Sequence, residues 1–299
     1  MKKAQICPIK PLMPSDSLHS FSDAPPAADL RRPVRESRAL VFGVPHSGTY
    51  LPDDFVAASP FEVARLRSTE DAFVDQLIGF ETQDDIWAVR GNYGRAYVDV
   101  NRHPLELDPK LIKGPLPKGS LSHTLRVKSG YGVIPRCLTG QVEIHNQPLT
   151  YAEALTRLTR VHAPYHRALQ TALSEARAAH GHVTLIDWHS MPSGTLRNTP
   201  GALADIVLGD LHGEACAPEL TAFVKRHLEG QGFRVALNHP FAGGYVLEHY
   251  ADRHKGVEAL QIEINRGLYM DEAALTLLPK AATVKAALMA LIAVLKARL

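Results

Sequence analysis

The chain has 299 residues, 45% hydrophobic and 21% charged, a balance that excludes a disordered or fibrous protein and leaves enough apolar material for a full core. Its 33 basic and 31 acidic residues give a formal net charge of +2, which points to neither nucleic acid nor a membrane surface as a partner. Cys7, Cys137 and Cys216 are odd in number and far apart, which suits neither a disulfide framework nor a cysteine-held metal and fits a reducing, cytoplasmic compartment.

Residues 1–37 are rich in Pro, Ser and Asp, show no hydrophobic period, and carry Pro8, Pro11 and Pro14 where a secretory signal would need an apolar run. They predict an extended or disordered arm ahead of a single domain over 38–299. The segment ALVFGV (39–44) predicts the first strand, ending in Pro45, His46, Ser47 and Gly48. Residues 61–80 predict a helix in which Asp71 and Asp75, four apart, share a face beside Glu70. Two strands follow, at 86–90 and 96–100, the second running into YVDVNR so that Tyr97, Asp99 and Asn101 alternate onto one face and Arg102 stands at the end.

Residues 103–150 are rich in Pro, Gly and Lys and predict a long irregular excursion, with GYGVIPR (130–136) presenting Arg136. Thr150 is placed to cap a long helix to His180, kinked at Pro164, with His162 and His166 four apart in structural roles. VTLIDWHSMPSG (183–194) predicts a buried strand that breaks into a loop at its polar end, delivering His189. Further strands are expected at 205–209, 234–237 and 258–264 and a helix at 217–229; 271–299 close the chain as a helix whose apolar run is too short to span a membrane. Gly243, Gly244 and Tyr245 end a loop in which the two glycines allow close backbone approach.

Strands alternating with helices predict an α/β fold, a central mixed and largely parallel sheet flanked by helices. The absence of a Walker-type loop and of GxGxxG argues against nucleotide binding. His46, His189 and Glu263 each sit in or just beyond a predicted strand, with Asp71 on the helix after the first. Two imidazoles and a carboxylate are a ligand set for catalytic zinc with one position open to water, a nearby Glu can act as base, and Arg102, Arg136 and Arg266 are the basic groups available for a carbonyl oxygen or a carboxylate.

The segments VPHSGTYLP (44–52), EDAFVD (70–75), RAYVDVNR (95–102), GYGVIPR (130–136), PYH (164–166), LIDWHSMPS (185–193), DIVLGD (205–210), NHPFAGGY (238–245) with HY at 249–250, and LQIEINRGLYMDE (260–272) together resemble, in order and spacing, the N-formylglutamate amidohydrolase family. The resemblance spans roughly residues 40–275. It implies a phosphorylase/hydrolase-like α/β domain akin to zinc carboxypeptidases and aspartoacylase-type deacylases. It further implies one Zn2+ per chain, hydrolysis of N-formyl-L-glutamate to formate and glutamate as in histidine degradation, and a cytoplasmic enzyme whose partner is a small substrate with carboxylates.

By the same resemblance His46 and His189 are zinc ligands, Glu263 activates the water, Arg102 is catalytic, and Arg136, Arg266, Asn101, Gly243, Gly244 and Tyr245 bind substrate. Carboxypeptidase-like relatives place an acidic ligand three residues after the first His; here that residue is Thr49, so Asp71 is the expected third ligand and Glu70 the second choice. Ala251 follows HY where the family has Gly. Two other readings fit the same residues: a deacylase or carboxypeptidase-like hydrolase of another N-acyl amino acid, and a carboxylate-binding protein without catalysis.

Overall fold

The computed structural model describes residues 24–138, 142–196 and 204–299. Seven strands form the main sheet: β1 (Ala28–Arg31), β2 (Leu40–Val44), β3 (Trp87–Gly91), β4 (Val183–Met191), β5 (Ile206–Gly209), β6 (Val235–Leu237) and β7 (Val257–Asn265), in the order β1-β3-β2-β4-β7-β5-β6. The central strands β3, β2, β4 and β7 run parallel. Pairing is antiparallel where β1 meets β3 and where β5 meets β7, so the sheet is mixed, as expected.

Helices cover both faces. The flanking elements used below are α1 (Val74–Leu77), α2 (Tyr151–Arg157), α3 (Ala163–His180), α4 (Pro218–Gly230), α5 (Tyr245–Tyr250) and α6 (Ala281–Arg298). One core packs Leu169, Leu173 and Ala176 of α3 against Val41, Val89 and Leu185. The other packs Val224 and Leu228 of α4 and Leu288, Leu291 and Leu295 of α6 against Phe42, Ile186, Trp188 and Ile262. Strand alternation explains the division, because successive side chains of β4 and β7 leave opposite faces of the sheet. Trp188 is fully buried on the second side, and replacing such a residue by Ala costs about 3–5 kcal/mol. Among the described residues no helix is long and apolar enough to cross a membrane.

Five expectations need correction. The arm does not extend to residue 37: Ala28–Arg31 pair with β3 as the edge strand, held by the Asp29–Arg90 ion pair at 2.8 Å, while residues 1–23, with Cys7, lie outside the described residues. The helix over 61–80 is broken into Val63–Arg67 and α1, because Asp71 is drawn inward, its N–H donating to the His46 carbonyl at 2.9 Å, and Phe73 takes φ 66°. Residues 96–100 form turns instead of a strand, since Asp99 bonds back to the Asn101 N–H and its own N–H goes to the Val133 carbonyl.

The helix from Thr150 begins at the expected cap, which forms a capping box with Glu153, then widens into a π-helical turn at Leu158–His162 just before Pro164, where the proline has no N–H to give. Between β7 and α6 the chain makes a small hairpin, Met270–Asp271 with Thr276–Leu277, because Asp271 Oδ1 accepts from the N–H groups of Ala273 and Ala274 and closes a turn.

Candidate active site

Three parallel strands carry polar side chains at their carboxyl ends, beyond which α/β sheets commonly bind ligands. On β4 one face changes from Val183 and Leu185 to Asp187 and His189, so the strand continues through the polar stretch where a loop was expected. In the parallel pairing of β4 with β7, Glu263 stands directly beside His189, and Gln261 beside Asp187. His46 follows β2, and the turn at 68–73 brings Asp71 under it.

These side chains meet in one buried knot. His46 Nδ1 lies 3.2 Å and His189 Nδ1 3.0 Å from the same oxygen, Oδ2 of Asp71. All three residues are at most 2% exposed. The far nitrogen of each imidazole is held by its own carboxylate: His46 Nε2 by Asp99 at 2.8 Å and His189 Nε2 by Asp187 at 2.7 Å. Asp71 Oδ1 accepts from Ser190 Oγ at 2.9 Å and from Arg266 Nη2 at 3.1 Å, and Ser47 Oγ bonds its carbonyl at 2.9 Å.

The packing leaves no slack. Gly43 is required because a Cβ there would stand 2.9 Å from Asp187 Oδ1, and Gly244 because a Cβ would fall 2.3 Å from the Asn101 amide.

Burial opposes the charge on Asp71, yet hydrogen bonds from His189 and His46 hold its carboxyl well below the usual carboxylate range. Asp99 is also held well below it, Arg95, Arg102 and His46 outweighing burial. Burial likewise disfavours the cationic form of His189, but Asp187, Asp71 and Glu263 raise its pKa well above that of a free imidazole. Burial raises Glu263 to about 7; the charge of Asp71 adds to this, and His189, Arg95 and Arg266 work against it.

The donor set fits a divalent cation. His46, Asp71 and His189 each turn one ligand atom to a common point, all within 4.8 Å of one another. Imidazoles that bind metal through one nitrogen characteristically have the other fixed by a carboxylate, and both imidazoles meet that condition here. Two nitrogens and one carboxylate oxygen match the borderline-soft character of zinc. Glu70 does not join them; it pairs with Arg67 at 3.0 Å.

Beside the knot opens a cleft of about 630 Å³. Of the residues expected to bind substrate, Asn101, Gly243, Gly244 and Arg266 line it, together with the two expected catalytic residues, Glu263 and Arg102. Arg136 and Tyr245 do not. The Arg136 guanidinium is spent on Asp108 at 2.8 Å and Glu143 at 2.6 Å. Tyr245 packs into a cluster of rings, 5.2 Å from both His103 and His166 and stacked on His249 at 5.0 Å. Asn101 is committed within the protein, its Oδ1 accepting from the Val246 N–H at 2.8 Å and its Nδ2 lying 3.2 Å from His189 Nε2. Arg266 donates to Asp71, Ser190 and the Ser68 carbonyl, so it braces the knot more than it faces the cleft.

Sequence reasoning gave no role to Asp99, Asp187, Ser190, Arg95 or Arg126. For Asp187 a signal exists: two residues before His189 on one strand is the same face. Arg95 sits four residues before Asp99, to which its Nε donates at 2.9 Å, but the turn that joins them is not a helix, and nothing local predicts the pairing.

Known proteins share this arrangement of the chain. The N-formylglutamate deformylase of Pseudomonas aeruginosa is 29% identical over 236 residues, covering 79% of this chain and 83% of that protein, and the deformylase of Pseudomonas putida is likewise 29% identical, covering 78% and 82%. The crystal structure of N-formylglutamate amidohydrolase from Ralstonia eutropha superposes with a TM-score of 0.85 at 34% identity, covering 91% of this chain and 99% of that one. The sequence profile described as N-formylglutamate amidohydrolase matches residues 38–270, and with that match the chain belongs to the N-formylglutamate amidohydrolase family.

Proposed function

We propose that the protein hydrolyses the formamide bond of N-formyl-L-glutamate, giving formate and L-glutamate, with a zinc ion held by His46, Asp71 and His189. The observation that carries this reading is the convergence of two imidazole Nδ1 atoms on one Asp71 oxygen, with Glu263 beside His189 at the wall of an arginine-lined cleft. Bound there, zinc would supply Lewis acidity and lower the pKa of a coordinated water.

The remaining work falls to side chains. Glu263, poised at about 7, accepts a proton as a water oxygen adds to the formyl carbon, and returns it to the glutamate nitrogen as the C–N bond breaks. Arg102, charged and partly exposed at the cleft wall, meets a substrate carboxylate. Asp187 holds the ring of His189 through Nε2, and the Asn101 amide stands against that same nitrogen. The products suit the end of histidine degradation, and the free thiols of Cys137 and Cys216 agree with a reducing cytoplasm.

The test is formate release from N-formyl-L-glutamate by protein of measured metal content. Turnover that disappears with a chelator and returns with zinc is expected. Zinc-loaded protein that releases no formate from this substrate would shift the assignment to another N-acyl amino acid; turnover indifferent to chelation would remove the metal from the proposal.

A further inference from the structure

Four arginines line the cleft: Arg95, Arg102, Arg126 and Arg266. Two are spent on the knot itself, Arg95 on Asp99 at 2.9 Å and Arg266 on Asp71 at 3.1 Å. The other two are only loosely neutralised. Arg102 meets Asp99 at 3.8 Å, and its short bonds go to the neutral carbonyls of Asn101 and Tyr131. Arg126 meets Glu248 at 3.8 Å and the Gly243 carbonyl at 3.4 Å.

The two cations feel each other. Burial, then the charges of Arg95 and Arg126, outweigh Asp99 and pull Arg102 down to about 10. Two guanidinium groups on the wall of one cleft, each with its nearest carboxylate only at 3.8 Å, make a setting that favours an anion.

Their depths differ. Arg102 is 14% exposed and adjoins Asn101, whose amide touches His189, so it lies on the side of the knot. Arg126, on the short helix Leu125–Lys128, is 37% exposed and contacts the loop that enters α5, so it stands at the rim. In an N-formyl dicarboxylic amino acid the α-carboxylate is two bonds from the formamide nitrogen and the side-chain carboxylate is farther out. We infer that Arg126 binds the side-chain carboxylate of the substrate, leaving Arg102 the α-carboxylate, and is the residue that makes the cleft prefer a dicarboxylic N-formyl amino acid to a monocarboxylic one. This inference rests on the deformylase reading above.

The rim residue was not legible in the sequence, where Arg136 was the expected second basic group. Arg136 is ion-paired outside the cleft lining, and Arg126, ten residues earlier, stands in the cleft.

The experiment compares Arg126→Gln and Arg126→Lys with the unaltered enzyme on N-formyl-L-glutamate and on N-formyl-L-glutamine, which has the same shape without the distal charge. Losing one charged hydrogen-bonding partner predicts a rise in KM for N-formylglutamate of about 10- to 100-fold in Arg126→Gln. The change in kcat should be small, the penalty on N-formylglutamine much smaller, and recovery in Arg126→Lys partial. Equal losses on both substrates, or a fall in kcat at unchanged KM, would overturn the assignment. Calorimetric binding of glutarate and butyrate keeps the test independent of turnover. The unaltered protein should prefer glutarate, and Arg126→Gln should erase most of that preference; a preference that survives the substitution, or is missing from the start, rejects the role of Arg126. Absence of formate release by the unaltered enzyme would instead count against the deformylase reading alone.

Discussion

Two pairs of neighbouring histidines lie within this fold, and their surroundings make them chemically opposite. Both nitrogens of His46 and His189 meet carboxylates, three acids for two rings. His162 and His166 also pack ring to ring, with centroids 4.4 Å apart, but their Nε2 atoms meet the backbone carbonyls of Arg102 and Val100 at 2.9 and 2.8 Å. Burial lowers His162 to about 4 and His166 well below its ordinary value. The first pair has the donor set that could hold a cation. The second is arranged to stay neutral, and it works as a clamp on the segment that presents Asn101 and Arg102. Residue type is the same in both; the partners decide the role.

The contrast can be broken from either side. The largest effect is expected in the acid-rich pair: His189→Ala should abolish stoichiometric zinc binding together with turnover, checked by metal analysis of the purified variant, and full zinc occupancy would contradict ligation. Next, Glu263→Gln should keep the metal while kcat falls by about 10²- to 10⁴-fold, the usual worth of a general base; near-normal kcat would deny it that role. Smaller again, Asp187→Asn should weaken zinc affinity by about 10- to 100-fold, since it frees the ring of His189, and competition with a chromogenic chelator measures this.

The neutral pair should answer to stability and pH, with activity affected only indirectly. Because the folded pKa of His162 lies near 4 and that of a free imidazole near 6.5, the unfolded chain binds more protons between those values. Stability from this group is therefore complete above pH 6.5 and is lost as the pH falls toward 4, by about 3 kcal/mol when fully expressed. Urea unfolding across that window should show the decline, and His162→Gln should flatten it while adding about 1 kcal/mol of destabilisation from an imperfect hydrogen bond. An unchanged slope would mean that other groups control acid stability.

The α/β class, the central strands and the polar strand ends were legible because alternation is a local property: Leu260, Ile262 and Ile264 face one way and Gln261 and Glu263 the other in the sequence as in the structure. His46 and His189 could be singled out for the same reason, as imidazoles following apolar runs. The breaks at Phe73 and at 96–100 were not legible, since each answers to a distant partner, whereas the π-helical turn at Leu158–His162 falls just before Pro164, where a kink was expected.

By itself, then, the sequence determined an α/β chain with a hydrolase-type polar constellation, because side-chain periodicity and residue chemistry are written along the backbone. Only tertiary structure decided that Asp71 and not Glu70 lies between the imidazoles, that Asp99 holds the outer nitrogen of His46, and that Arg126 rather than Arg136 stands in the cleft. Those outcomes depend on which residues are brought together across as many as 118 positions, as Asp71 and His189 are, and no local pattern encodes that meeting.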